Sequence, residues 1–139
     1  MKDSVLKKKY EILDHPADLK IRAYGKNLEE LFNNILAAMK DGTRPELLRE
    51  KIKTPVKIKS ENLENLIFDF LAEVIYEMDL NDSLYQKVEI KKLTEKELVG
   101  EISGQKVKRF TTEIKGVTWY DFSLKKENNE FTLIVVFDI

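Results

Sequence analysis

The chain has 139 residues, 42% of them hydrophobic and 35% charged, and a formal net charge of −1. That length suits one domain with a real core; the lack of cysteine excludes disulfides and thiolate chemistry, and a single histidine excludes a three-His catalytic zinc. No apolar run nears the roughly 20 residues of a membrane span, the start "MKDSVLKKKYEIL" has no apolar core of a signal peptide, and near-neutrality lacks the basic excess of a free-standing nucleic-acid binder.

In chain order, the apolar period switches repeatedly between strand and helix spacing. "YEIL" (10–13) and "LKIRAY" (19–24) alternate as half-buried strands, with Leu19, Ile21 and Ala23 on one side and Lys20 and Arg22 on the other. Gly25 ends the second strand, Asn27 caps a helix, and Glu30 completes a capping-box arrangement. Leu28, Leu31, Phe32, Ile35, Leu36 and Met39 follow at helical spacing, with Gly42 as the stop. "TPVKIK" reads as a short strand. A second helix starts at 60–62 and carries Leu63, Leu66, Ile67, Phe70, Leu71, Val74, Ile75 and Met78 on an arc broad enough to cover a sheet; "LNDS" closes it.

From Tyr85 onward the chain reads as strands: "YQKVEIKKL", "ELVGEIS", "GVTWYDFSL" and "FTLIVVFDI". "TEKE" and "KENNE" are turns, and Gly104 marks a break. Trp119, Phe122 and Phe137 alternate with polar neighbours as core residues. The basic run "QKVKRF" (105–110) reads as a solvated strand edge whose lysines block further pairing, with RNA contact as the alternative. The whole implies an α+β protein: one two-layer domain over residues 1–139, a mixed or antiparallel sheet with two helices on one face.

"DHPAD" (14–18) places the only histidine between two aspartates, directly ahead of a strand. His15 has no Ser or Cys partner that the sequence identifies, so it reads as an orienting residue rather than a base. No Gly-rich phosphate loop, nucleophile elbow or Walker lysine is present.

Four stretches occur in order: "DHPADLKIRAYGKNLEELFNNILAAM", "ENLENLIFDFLAEVIYEMD", "IKGVTWYDF" and the final "FDI". Together they resemble the archease family, small proteins that assist the 3′-phosphate RNA-splicing ligase in tRNA maturation. The departures are Pro16 for the usual Thr, Gly116 for Ala, and Trp119-Tyr120 for Tyr-His, so no role of a second histidine carries over. The resemblance implies a strand-helix-strand-strand module with an inserted helix. It also implies a metal site at Asp18, Asp138 and Ile139, with His15 supporting. Oxygen ligands of this kind suit a hard divalent cation, calcium first, with magnesium or manganese as alternatives. That site needs the second and last strands to bring their ends together; otherwise Asp18 is a turn residue and Asp138 a solvated one.

Lys115 stands at the family's signature lysine, which implies a contact with the ligase, with RNA phosphate or with a nucleotide. The implied activity is promotion of ligase nucleotidylation and multiple turnover, by a cytoplasmic accessory factor that is not itself an enzyme. The implied partner is the ligase, with RNA in a ternary complex and neither membrane nor DNA. Two alternatives stay open: a small metal-dependent phosphohydrolase using Asp18 and Asp138, and a pure interaction module.

Overall fold

The computed structural model describes residues 8–13 and 17–139. In order come β1 (Tyr10–Leu13), β2 (Asp18–Gly25), α1 (Leu28–Thr43), β3 (Pro45–Lys59), α2 (Leu63–Asn81), β4 (Ser83–Leu93), β5 (Glu97–Phe110), β6 (Gly116–Glu127) and β7 (Glu130–Asp138). The strands form two wholly antiparallel sheets, β1-β2-β7-β6 and β3-β5-β4. The α+β class is as expected, while the expected single sheet is divided in two. The two helices bridge both sheets: α1 touches β2 and β4, and α2 touches β6 as well as β3, β4 and β5. One continuous core joins Ile21, Val135 and Phe137 of the first sheet to Val56, Val88 and Ile102 of the second. Burial of Leu66, Ile67, Phe70, Leu71, Val74, Ile75 and Met78 holds α2 there, each contributing about 2 kcal/mol of transfer free energy. No helix among the described residues is long and apolar enough to cross a membrane.

Both helices start as their caps dictate. Asn27 Oδ1 accepts from Glu30 N–H, and Asn62 Oδ1 from Asn65 N–H. Their ends differ from the sequence reading. α1 runs past Gly42 and stops at Arg44, which takes the left-handed conformation (φ 44°) with its N–H on the Lys40 carbonyl. Gly42 sits in the last turn, where an added Cβ would meet the Leu19 side chain at 2.9 Å.

Gly104 is no break either. It lies within β5 opposite a bulge in β4, between Tyr85 and Lys87, and an added Cβ would fall 1.7 Å from the Leu84 carbonyl oxygen. Consequently "QKVKRF" belongs to β5, the central strand of its sheet, and is not an edge. "TPVKIK" is the second half of a 15-residue edge strand whose first half pairs through two register shifts. Of the three aromatics expected in the core, Phe137 is fully buried, Phe122 is half-buried and Trp119 is 50% exposed.

Glu73 and Glu77 lie one turn apart on α2. Burial, then the hydrogen bond and repulsion from Glu77, raise the Glu73 pKa above the usual 4.5. A carboxyl whose pKa is higher folded than unfolded costs stability above its folded pKa, and that cost disappears as pH falls through it. Glu73→Gln should therefore raise the melting temperature at neutral pH, with the gain shrinking in acid. Equal melting temperatures at neutral pH would contradict this.

Candidate functional site

The first sheet places the candidate residues through its register. β2 and β7 run antiparallel from Gly25 opposite Phe131 to Asp18 opposite Asp138. Leu19, Ile21 and Ala23, with Phe137, Val135 and Leu133, face the core. By alternation Asp18, Lys20 and Arg22, with Asp138, Val136 and Ile134, face outward. On the far side of β7, Gly116 opposes Asp138 and Thr118 opposes Val136. The last row of the outer face is therefore Asp18, Asp138, Gly116. Directly opposed side chains have Cβ atoms about 5 Å apart, where two carboxylates repel. A Cβ at Gly116 would meet nothing within 4 Å, so the third place in the row is open.

Lys115 directly precedes that row. Its N–H donates to the Asp138 carbonyl at 2.7 Å, and its side chain is exposed. With Phe68, Ala72, Ile75 and Tyr76 it also lines an open groove of about 570 Å³ between α2 and the start of β6. Ile139 follows β7 and is 40% exposed. The structure thus brings Asp18, Asp138 and Lys115 to one end of one sheet, as the convergence of the second and last strands requires. His15, with Asp14 and Pro16, lies outside the described residues. Among the described residues, no three or more His, Asp or Glu side chains form a group able to hold a metal.

One row inward, β6 departs from regular pairing. Thr118 pairs with Val136, but the next paired residue is Ser123, opposite Ile134. Three extra residues are thereby pushed out of the ladder, and Asp121 takes φ 56°. The bulge has two effects. Asp121 reaches back over the outer face, where Lys20 Nζ donates to its Oδ2 at 3.3 Å. Because Lys20 is on β2 and Asp121 on β6, the pair spans β7, whose outward Val136 is 1% exposed. On the other side, the Trp119 ring stacks on Phe68 of α2, with centroids 4.1 Å apart and planes 2° apart; Phe122 stands edge-on to Trp119 at 4.8 Å. Tyr120 is 65% exposed.

Further along this face, the Tyr24 hydroxyl first, then Lys8 and Arg22, hold the Glu11 carboxyl below its usual pKa. Sequence reasoning missed the Lys20–Asp121 bridge and the Trp119 exposure. The bulge responsible leaves no glycine or proline mark among the unpaired residues "WYDF" (119–122).

Residues 10–139 match the model of the Archease protein family. The archease of Methanosarcina mazei is 33% identical, over 95% of this chain and 97% of its own, and that of Sulfurisphaera tokodaii 32%, over 94% and 99%. Among solved structures, Methanobacterium thermoautotrophicum protein 1598 is similar with a TM-score of 0.69 at 25% identity, over 94% of this chain and 99% of that one. A Thermotoga maritima archease, described as a possible chaperone, shares the fold with a TM-score of 0.68 at 22% identity, over 93% and 96%.

Trp119 is the only tryptophan, so its emission reports the bulge directly. Phe68→Ala should shift that emission to the red and lower stability by about 1 kcal/mol for the lost ring pair, in addition to the lost buried area. Unchanged emission together with an unchanged denaturation midpoint would show that Trp119 is held in place without Phe68.

Proposed function

This chain belongs to the archease family, and from that membership we propose that it activates the 3′-phosphate RNA-splicing ligase in tRNA splicing and RNA repair, promoting ligase nucleotidylation and repeated turnover. The observation that best supports this reading is the direct opposition of Asp18 and Asp138 at an open sheet end, with Lys115 bonded to the same residue. The ladder sets the two carboxylates side by side as a pair of oxygen donors, the donor type that a hard divalent cation takes.

The residues that would hold a divalent cation are Asp18, Asp138 and the backbone oxygens of Ile139. All are oxygen donors, which suits calcium, or magnesium or manganese, rather than zinc or copper. Calcium takes 6 to 8 oxygen ligands, more than this corner supplies, so positions remain for water or for a partner's phosphate or carboxylate. When bound, the ion would neutralise and orient phosphate oxygens. The protein's own share is to hold both carboxylates at the sheet end and to present the Lys115 ammonium, a mobile point charge suited to phosphate. His15 would support the site from the segment just before β2. In this reading the factor positions groups and the chemistry stays on the ligase. A phosphohydrolase would need a nucleophile and an acid in addition to these ligands, and among the described residues the corner offers the two carboxylates and Lys115.

Titration calorimetry of calcium and magnesium into the wild type, Asp18→Ala and Asp138→Asn should show binding weakened at least about tenfold, some 1.4 kcal/mol, in both variants. With the cognate ligase, both variants and Lys115→Ala should lose stimulation of ligase nucleotidylation. Binding that survives both aspartate changes would remove the shared site. Full stimulation by all three variants would remove the proposal. Turnover of a generic phosphoester by the protein alone would favour the hydrolase.

A further inference from the structure

The net charge of −1 conceals an uneven distribution. The β3-β5-β4 sheet turns Val56, Ile58, Val88, Leu98 and Ile102 to the core, and its register fixes what lies on the other face. Between β3 and β5, Lys51 stands opposite Gln105, Lys53 opposite Ser103, Lys57 opposite Val99 and Lys59 opposite Glu97. Between β4 and β5, Lys87 stands opposite Ser103, Glu89 opposite Glu101 and Lys92 opposite Val99. The exposed lysines of β3 fall on alternate positions, interrupted only by Pro55, so their stems repeat roughly every 6.8 Å along the strand.

Six lysines thus share this face with three glutamates, Glu89, Glu97 and Glu101, and most of these lysines form no ion pair among the described residues. Lys92 pairs with Glu97 at 2.8 Å. Among the described residues, Lys51, Lys53, Lys57, Lys59 and Lys87 have no carboxylate within ion-pair distance. Lys92 first, then Lys59 and Lys57, hold the Glu97 carboxyl below its usual pKa. The basic run "QKVKRF" is the opposite case. Lys106 Nζ donates to the Asn81 carbonyl at 2.7 Å, and Lys108 and Arg109 pair with Glu46 at 3.8 and 3.1 Å.

The face is also concave. Beside the bulge in β4, Lys51, Lys53 and Lys87 surround an open hollow of about 580 Å³ whose floor includes Ser103 and Gln105. All its cations are lysine. Ammonium groups act as point charges on phosphate, whereas bidentate carboxylate recognition selects arginine. No aromatic side chain stands among these outward residues to stack a base.

We propose that this outer face of the β3-β5-β4 sheet binds the phosphate backbone of a single RNA strand laid along β3, without reading its sequence. The choice of RNA as the polyanion rests on the ligase-factor reading above; the charge array does not. Fluorescence anisotropy of the full chain, without ligase or added metal, on labelled oligouridine over a range of KCl concentrations tests it. Five phosphate contacts give a slope of log K against log[KCl] of roughly −3.5. Lys53→Glu/Lys57→Glu/Lys59→Glu should weaken binding more than tenfold and make the slope shallower by roughly 2. The milder Lys53→Gln/Lys57→Gln/Lys59→Gln, with circular dichroism as a check on folding, should fall between. Oligoadenosine should bind as oligouridine does, and Lys108→Glu/Arg109→Glu and Asp18→Ala should bind like the wild type. Asp18→Ala also separates the two proposals, because RNA binding that persists while metal binding is lost leaves this one standing alone. No binding by the wild type, a slope untouched by the triple changes, or displacement by polyglutamate as effective as by RNA would overturn it, the last assigning the face to an acidic protein.

Discussion

The eight-residue ladder between β2 and β7 is the constraint on which the rest depends. It joins residue 18 to residue 138 and puts β7 in the interior of its sheet, with β2 on one side and β6 on the other. Side chains alternate with period two, so a slip of one residue would turn Phe137 and Val135 outward and Asp138 inward, against the core. Burial of Ile21, Ala23, Leu133, Val135 and Phe137, all fully inaccessible, therefore fixes the register. The same register sets Asp18 beside Asp138. The hydrophobic effect, acting on the inner face, thereby sets which residues stand beside one another on the outer face.

Elements with a single clear period were legible from sequence. The Asn caps, the arc of α2 and the alternation of Leu19, Ile21 and Ala23 depend on nearest neighbours, and local chemistry decides them. What escaped was set by distant partners. Arg44 rather than Gly42 ends α1, because Gly42 is used to make room for Leu19. Gly104 looked like a break but is a place where the Leu84 carbonyl approaches too closely for any side chain. Trp119 looked like core because its neighbours alternate, yet the bulge in β6 shifts the phase of that alternation. For the candidate site, the resemblance named the residues, and only the paired register brings Asp18, Asp138 and Lys115 to one place.

Charge shows the same contrast between sequence and surface. A total near zero and one compact basic run suggested little, and that run is consumed by Glu46 and a helix-end carbonyl. The lysines that remain unmatched are dispersed in the sequence by the strand period and gathered by the sheet. A period-two charge pattern on an edge strand also keeps that strand from pairing with another copy, so the same lysines guard the edge of the sheet whatever they bind.

The bulge and the ladder together say something about the order of synthesis. β7 comes after β1, β2 and β6 in the chain, yet it lies inside its sheet, between β2 and β6. Until it arrives, β2 can pair only with β1, β6 has no partner, and the apolar faces of Ile21 and Leu124 have no strand between them. A nascent chain therefore carries its first aspartate long before the second exists, and the acidic corner cannot assemble until β7 has been made. Whatever this corner does, it begins only once β7 has been made and has closed the sheet between β2 and β6.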